Sequence, residues 1–473
     1  MIGEKYKDRL NELYHKIYKQ FPQNIEKLPI SGSNRKYYRI FSNNKTIIGV
    51  CNSDIDENKA FLSFTKAFKS INLPVPEIYA VDSDEEIYLL EDLGDTTVFK
   101  YLKETNNLNL IHNLYKKIID KLICFQFDGF NVIDFSLCYP RSSFDEQSIR
   151  WDLNYFKYNF LKFLNITFNE QLLENDFNAL LKKLTGINSD TFLYRDFQSS
   201  NIMIYNDEVL FIDYQGGRKG AFYYDLVSLL YDAKANLENM LRNELKDYYY
   251  SILIQRIKID KKEFDVNFSL FALIRIMQAM GAYGFRGLYE KKEQFIKSIP
   301  FAVSNLKQLV SNTDLFNKYS ELIRIFNQLY VHPDCQFIKP EIGKLTVSIC
   351  SFSYKKGIPV DKTGNGGGFV FDCRGLPNPG RYAEYKHVTG KDPEVIQFFK
   401  DKGEVNHFLE NVMEIIGITV TDYIERNRTH LMVNFGCTGG QHRSVYCAEK
   451  LAQYLKKFNI NIAVKHLEQD MVL

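Results

Sequence analysis

One pattern in this chain leaves few folds open. An aspartate stands five residues before an asparagine, and the next apolar strand ends on a second aspartate. It reads Leu193-Tyr-Arg-Asp-Phe-Gln-Ser-Ser-Asn-Ile-Met-Ile-Tyr, then Val209-Leu-Phe-Ile-Asp-Tyr-Gln. The flanking apolar runs, Thr191–Tyr194 and Val209–Asp213, read as short strands, so the three polar residues gather at one end of a small hairpin. Each aspartate alone would be an ordinary turn or cap residue; the joint spacing is what points to chemistry. Phosphoryl transfer needs a carboxylate to accept a hydroxyl proton, and oxygen ligands to hold Mg²⁺ on the phosphates of ATP, all on a short rigid loop. Asp196 fits the base, Asn201 one metal ligand and Asp213 the other. Asp225, in Tyr223-Tyr-Asp-Leu-Val, reads as the N-cap of the next helix, bracing that loop.

The remaining pattern divides the chain, as 473 residues exceed one core. Residues 1–30 read as an amphipathic helix ending near Pro22. Strand-like runs at 37–51 and 77–92 enclose a helical stretch, Asp56–Ile71. Helices dominate from Leu108 to Phe125, Gln147 to Leu184 and Tyr223 to Tyr330, and periodicity stops near His332-Pro-Asp-Cys. Beyond it strands (Leu345–Phe352, Gly368–Cys373, His430–Phe435, Ile460–His466) alternate with helices, which argues for an α/β sheet. The expected fold class is an α+β bilobal domain followed by a smaller α/β sheet domain. Its parts would be a small lobe over 1–92, a helical large lobe over 93–330, a linker over 331–342 and the second domain over 343–473.

Arg195-Asp-Phe-Gln…Asn-Ile-Met, Ile212-Asp-Tyr-Gln and Tyr224-Asp-Leu-Val-Ser-Leu-Leu-Tyr-Asp-Ala resemble the aminoglycoside/choline kinase superfamily, a protein-kinase-like fold. Within it they are most similar to the anomeric N-acetylmuramate/N-acetylglucosamine kinases, over roughly residues 5–325. The resemblance implies an ATP- and Mg²⁺-dependent kinase of an amino sugar or related cell-wall sugar. Ser33-Asn-Arg-Lys and Leu90-Glu-Asp-Leu-Gly match that group's first loop and interlobe hinge, which assigns Ser33, Arg35, Lys36, Glu91 and Leu93 to ATP. Tyr139-Pro-Arg-Ser-Ser-Phe-Asp and the following helix occupy its substrate region, which assigns Arg141, Asp145 and Asp152. One departure stands out: Thr46-Ile-Ile-Gly-Val-Cys lacks the central lysine with which a typical kinase grips phosphates. Arg35, Lys36 or Arg39 could supply that charge, with Glu57 as a partner; each could equally be a surface residue.

The second informative stretch is Leu431-Met-Val-Asn-Phe-Gly-Cys-Thr-Gly-Gly-Gln-His-Arg-Ser-Val, an apolar strand running into a glycine-rich loop and a helix. Such a loop aims backbone N–H groups at an anion, with the helix N-terminus behind them. The candidate phosphate ligands are Gly436, Cys437, Thr438, Gly439, Gly440, Gln441, His442, Arg443 and Ser444. Two readings compete. Cys437 and Arg443 have the spacing of cysteine phosphatases, although Gly436 stands where those enzymes carry histidine. Alternatively the loop, with Ser351-Phe-Ser-Tyr-Lys-Lys-Gly, Phe371-Asp-Cys-Arg-Gly-Leu-Pro-Asn-Pro and Val388-Thr-Gly-Lys-Asp, resembles the RapZ C-terminal domain over about residues 343–467. That resemblance implies an amino-sugar phosphate ligand, with Ser351, Lys355, Asp372, Arg374 and Asn378 in its pocket, and in some members RNA. Near-equal acidic and basic content in this segment weighs against RNA. A kinase fold that only binds nucleotide, within a regulatory adaptor, is the remaining alternative.

A net charge of +2 excludes a global pull toward nucleic acid or membrane, so anion binding must be local. Eight scattered cysteines form no C-x-x-C pair. No apolar run reads as long enough to cross a bilayer, and the expected setting is the cytoplasm.

Overall fold

The computed structural model describes all residues except 1, 30–34, 43–44, 106, 338–343, 362, 364–366, 401, 427 and 470–473, with only the backbone of 2–5. It divides into two compact units, one of residues 1–289 with 298–335, the other of 290–297 with 336–473.

The first unit opens with helix Ile2–Tyr18, which ends earlier than the sequence suggests, because residues 24–27 form an edge strand. Strands β1 (Asn24–Lys27), β2 (Lys36–Phe41), β3 (Thr46–Cys51), β4 (Ile78–Val81) and β5 (Ile87–Glu91) make one antiparallel sheet in the order β1-β2-β3-β5-β4. Alternation along β2 sends Tyr38 and Ile40 into the core under the first helix, beside Leu10, Leu13 and Tyr14. A Cβ on Gly49 would meet Leu10 Cδ2 at 2.6 Å, so a larger residue there would make the Leu10 side chain shift. Helix Ile55–Ser70 follows β3 and is capped by Asp54, whose Oδ1 accepts from Glu57 N at 3.1 Å.

Helices build the large lobe. Within it β6 (Thr191–Leu193) pairs antiparallel with β9 (Arg218–Gly220), and β7 (Ile202–Tyr205) with β8 (Glu208–Phe211). This is the bilobal kinase-like arrangement that the resemblance implied. Helix Lys261–Tyr283 with its continuation to Tyr289 departs from expectation: by length and composition it could cross a membrane. In the structure 72% of its most apolar window is buried inside the protein, with Phe264, Phe268 and Phe271 in the core.

The second unit carries a parallel sheet, β10 (Thr346–Ser353), β11 (Gly368–Asp372), β12 (His430–Cys437) and β13 (Asn461–His466), in the order β11-β12-β10-β13. Its helices include Gly403–Glu425 and Arg443–Leu455. The chain leaves β10 toward one edge and β12 toward the other. The two loops therefore diverge at the carboxyl ends of neighbouring strands, where open α/β sheets form a crevice.

Candidate functional site

The hairpin β7–β8 sets the geometry of the first site. Ile202 pairs with Phe211 at its open end, so Asn201 and Ile212 become neighbours, and Ile212 N donates to Asn201 O at 3.1 Å. Asn201 Nδ2 then donates to Asp196 O at 2.9 Å and to Asp213 Oδ2 at 3.2 Å, leaving Oδ1 with only the Ser200 hydroxyl at 3.5 Å. Gln215 Nε2 holds Asp213 Oδ1 at 2.8 Å. Arg195 (φ 82°) and Asp213 (φ 69°) both adopt left-handed backbone, a conformation that the surrounding bonds must enforce. Water reaches 40% of the Asp213 side chain, yet burial of the carboxyl and the charge of Asp196 push its pKa upward.

Two aspartates from behind fix the loop. Asp225 is fully buried and accepts Tyr194 N at 2.7 Å and Arg195 N at 2.9 Å. It lies inside helix Tyr223–Leu230, in the first turn. Phe222 holds the cap position, which corrects the N-cap reading while keeping the brace. Burial pushes the Asp225 carboxyl up to about 7, and its two N–H donors offset only part of that. Asp232, which carried no role in the sequence reading, accepts Ser199 N at 3.2 Å and Ser199 Oγ at 2.5 Å. Beneath the loop, Phe68 meets Phe125, Phe192 and Tyr214 edge-on at 4.9–5.4 Å between ring centres, an apolar floor that resists shifts of the polar residues.

The cation missing from β3 arrives from the residue before β2. Arg35 is 4% exposed; its Nη2 lies 3.1 Å from Glu57 Oε1 and its Nη1 3.8 Å from Asp213 Oδ1. Glu57 is steadied by Asn52 Nδ2 at 2.9 Å. Burial opposes the Arg35 charge, and Tyr88, Tyr37, Glu57 and Asp213 outweigh it and raise its pKa. Lys36, one residue on, faces the other side of β2 and sits 4.8 Å over the Tyr6 ring of the first helix, so it does not join this cluster. Arg39 instead clamps the segment after β5, bonding Asp92 at 2.7 and 3.0 Å and Asp95 at 2.9 and 3.1 Å. Leu93 is buried there, ahead of Gly94 at φ 74°, and Glu91 Oε2 accepts Glu77 N at 3.2 Å. Ser33 lies outside the described residues.

In the segment that the resemblance assigns to the substrate, Asp145 caps helix Glu146–Phe156 and pairs with Arg141, whose guanidinium lies 5.6 Å over the Trp151 ring. Trp151 is the only tryptophan in the chain and is 47% exposed. Asp152, assigned to the substrate by the resemblance, faces inward instead: its two oxygens take Arg195 Nη1 and Nη2 at 2.9 and 2.7 Å, so it anchors the loop that carries Asp196 and is 5% exposed. Burial opposes the charge of Arg195, while Asp152 leads the groups that raise its pKa.

In the second unit the glycine-rich loop follows β12. Gly436 lies against Phe352, whose Cζ would stand 2.5 Å from an added Cβ. Cys437 is 2% exposed and its Sγ meets Gly440 N at 3.1 Å and Ser444 Oγ at 3.2 Å. Gly440, at φ 72°, closes the turn, and Thr438 and Gly439 are exposed at its tip. Arg443 opens the helix; its Nη1 donates to Arg374 O at 2.8 Å and Leu376 O at 3.3 Å, and its Nη2 approaches Thr438 Oγ1 at 3.4 Å. These partners are neutral, and the Arg443 charge is near enough for Asp372 to feel it. His442 Nε2 bonds Tyr385 O at 2.7 Å, and Gln441 Nε2 donates to Lys386 O and Val388 O, so both side chains tie down the neighbouring segment. Asp372, Arg374 and Tyr354 form an exposed rim, with the guanidinium 4.0 Å over the tyrosine ring. Lys355 is exposed beside them, and Asn378 caps residues 379–381 near His442. Ser351, placed in the pocket by sequence, is fully buried on His466 Nδ1 at 2.9 Å and does not open to the loop. Ser353 is the serine that meets the loop, donating to Thr438 O at 2.7 Å.

The chain can now be set beside known proteins. Residues 24–258 match the phosphotransferase enzyme family and residues 345–470 the RapZ C-terminal domain. A nucleotide-binding protein of Thermotoga neapolitana is 39% identical over 137 residues, 29% of this chain and 47% of that protein. A nucleotide-binding protein of Methylococcus capsulatus is 40% identical over 129 residues, 27% and 42% of the two chains. The chain thus spans less than half the length of these relatives. Among solved structures, choline kinase LicA from Streptococcus pneumoniae aligns with a TM-score of 0.44 and 15% identity, covering 64% of this chain and 99% of that one. Aminoglycoside phosphotransferase APH(2'')-Ib with ADP bound aligns at 0.45 and 14%, covering 66% and 98%. The chain therefore joins a region that matches the phosphotransferase enzyme family, over residues 24–258, to one that matches the RapZ C-terminal domain, over 345–470.

Proposed function

We propose that the first unit transfers the γ-phosphoryl group of ATP to a hydroxyl of an amino sugar or related cell-wall sugar, and that the second binds an amino-sugar phosphate, in the cytoplasm. The convergence of Asp196, Asn201 and Asp213 on one recess, with Arg35–Glu57 beside it, is the observation that carries the first half. Asp196 takes the proton of the attacking hydroxyl. Asn201 Oδ1 and Asp213 would hold Mg²⁺, which when bound supplies charge neutralisation on the phosphates. They fit such an ion: the charge of Asp213 is pressed by burial and by Asp196, strain that a cation relieves. Among the described residues no three His, Cys, Asp or Glu side chains gather as a stand-alone metal site; two protein ligands suffice where phosphate and water complete the octahedron. Arg35 brings positive charge toward the same phosphates, and the segment around Leu93 forms the hinge beside the base.

For the second unit, the open tip at Thr438–Gly439, the helix N-terminus and the carbonyl-bound Arg443 favour an anion nest over a cysteine phosphatase. A thiol 2% exposed has no approach to a phosphorus atom. The test is ATP consumption by the full chain across a panel of amino sugars, with Asp196→Asn as control. Sugar-independent ATP turnover, or none with any sugar, would reject the kinase assignment.

A further inference from the structure

Around the loop that carries Asp196 stand three guanidiniums, Arg35 and Arg218 buried and Arg195 half-buried. Arg195 is paired with Asp152 and Arg35 with Glu57. Arg218 is 7% exposed and has no carboxylate within 4.0 Å among the described residues. Its Nε donates to Gly216 O at 3.0 Å and its Nη2 reaches Tyr139 O at 3.5 Å, both neutral carbonyls. A guanidinium taken out of water without a counter-charge is costly, and it is worth keeping where a ligand supplies the missing anion.

Its position says which ligand. Arg218 opens β9, whose partner β6 leads directly into Asp196. An added Cβ on Gly216 would lie 4.0 Å from Asp196 Oδ2, so the carbonyl that holds Arg218 belongs to a residue touching the base. Along its other side β9 runs beside the acceptor segment: Lys219 N donates to Ser142 O at 2.9 Å and Phe144 N to Lys219 O at 2.7 Å. Arg218 thus stands between the base and the segment that carries Arg141 and Asp145. Burial and the like charge of Arg195 weaken its hold on its proton, while Asp196 is near enough to be felt and not near enough to pair.

We propose that Arg218 is a specificity residue that selects an acceptor carrying a carboxylate, held by this guanidinium while the neighbouring hydroxyl is presented to Asp196. The proposal rests on the sugar-kinase reading above and narrows it to anionic sugars. The loop Gly216-Gly-Arg-Lys-Gly gives no hint of this, because it does not show that the segment around Ser142–Phe144 runs beside β9 or that Tyr139 O comes within reach of Arg218.

The experiment is steady-state ATP consumption by the full chain with acceptor pairs that differ by a carboxylate: N-acetylmuramate against N-acetylglucosamine, and glucuronate against glucose. Wild type is expected to prefer the carboxylate-bearing member of at least one pair by about tenfold or more in kcat/KM. Arg218→Gln should lose about ten- to hundredfold on that member, mainly through KM, and little on its neutral partner. Arg218→Lys should fall between. Equal wild-type kcat/KM within both pairs overturns the proposal. So does an Arg218→Gln loss shared equally by both members, the signature of a guanidinium that serves the transferring phosphate. If Arg218→Gln does not fold, the wild-type ratio and Arg218→Lys decide. Absence of turnover with every sugar defeats the sugar-kinase reading itself, an outcome distinct from turnover without carboxylate preference.

Discussion

Asp196, Asp213 and Asp225 lie within one loop system and are set to different tasks by their surroundings. Asp196 is half-buried beside Asn201 and faces the recess; as general base it should govern turnover and not nucleotide binding. Asp196→Asn is expected to lower kcat about 10²–10⁴-fold with ATP affinity nearly intact. Asp213→Asn should instead weaken Mg·ATP binding. A coupled ATP assay beside a nucleotide titration separates the two, and retention of more than about a tenth of wild-type turnover in Asp196→Asn excludes it as base. Asp225 has a different signature, in stability against pH. The folded protein keeps its proton up to about pH 7. The unfolded chain releases it near pH 4. Between those values the folded state binds more protons, so this group's stabilisation is full at low pH and lost as pH rises through about 7. At about 1.4 kcal/mol per pKa unit the change is of order 4 kcal/mol. Urea unfolding of wild type and Asp225→Asn from about pH 5 to about pH 8 should show the downward slope in wild type alone. Parallel slopes would remove Asp225 as its source. The Asp196–Asn201–Asp213 spacing was legible in sequence because the chemistry demands it on one short loop. Asp232 and Arg218 were not, because their roles depend on which backbone groups the fold carries past them.

At the scale of elements, the small lobe, which lacks a lysine at the centre of β3, places a buried cation before β2. Arg35 precedes β2, and Glu57 lies in the first turn of helix Ile55–Ser70; their 3.1 Å pair joins the sheet to that helix. The cap by Asp54 sets where this helix starts, and hence where Glu57 points. Glu57→Gln should therefore raise KM for ATP about ten- to hundredfold, the worth of a hydrogen bond to a charged group, while the helix itself survives. Unchanged KM would leave the pair a structural link only. Sequence reading offered Arg35, Lys36 and Arg39 together. Strand alternation separates them: Arg35 and Arg39 share the face toward helix Ile55–Ser70 and the hinge, and Lys36 faces the first helix. Which face packs under the first helix was not legible, since alternation alone does not say which side of β2 that helix covers. Strands β1, β7 and β9 escaped explicit assignment: three or four residues hold too little periodicity, and the equally short β6 and β8 were legible only as apolar runs.

At the scale of the molecule, two units of unrelated architecture share one chain, and under the proposed function the chemistry connecting them would be phosphate on a sugar. If the second unit senses such a compound, its loop must read both ends of the ligand. The phosphate end would be served by the backbone N–H groups of the exposed Thr438 and Gly439, by the N-terminus of helix Arg443–Leu455 and by the Arg443 charge, which neutral carbonyls orient without cancelling. The sugar end falls to the rim of Tyr354, Asp372 and Arg374 at the carboxyl ends of the neighbouring strands. Phosphate alone engages only the first set. Glucosamine-6-phosphate should therefore bind the full chain far more tightly than inorganic phosphate in calorimetry. Arg443→Ala should weaken it by roughly 1.5–3 kcal/mol, about ten- to hundredfold. Asp372→Asn should narrow the gap between sugar phosphate and phosphate, because it frees Arg374 from its carboxylate and removes a partner for the amino group. Equal affinity for both ligands, or an Arg443→Ala variant that binds like wild type, would return the loop to a structural turn. Aryl-phosphate hydrolysis abolished by Cys437→Ser would reinstate the phosphatase, and the wild-type protein is expected to show none, because the thiol that would have to attack is sealed between Gly440 N and the Ser444 hydroxyl.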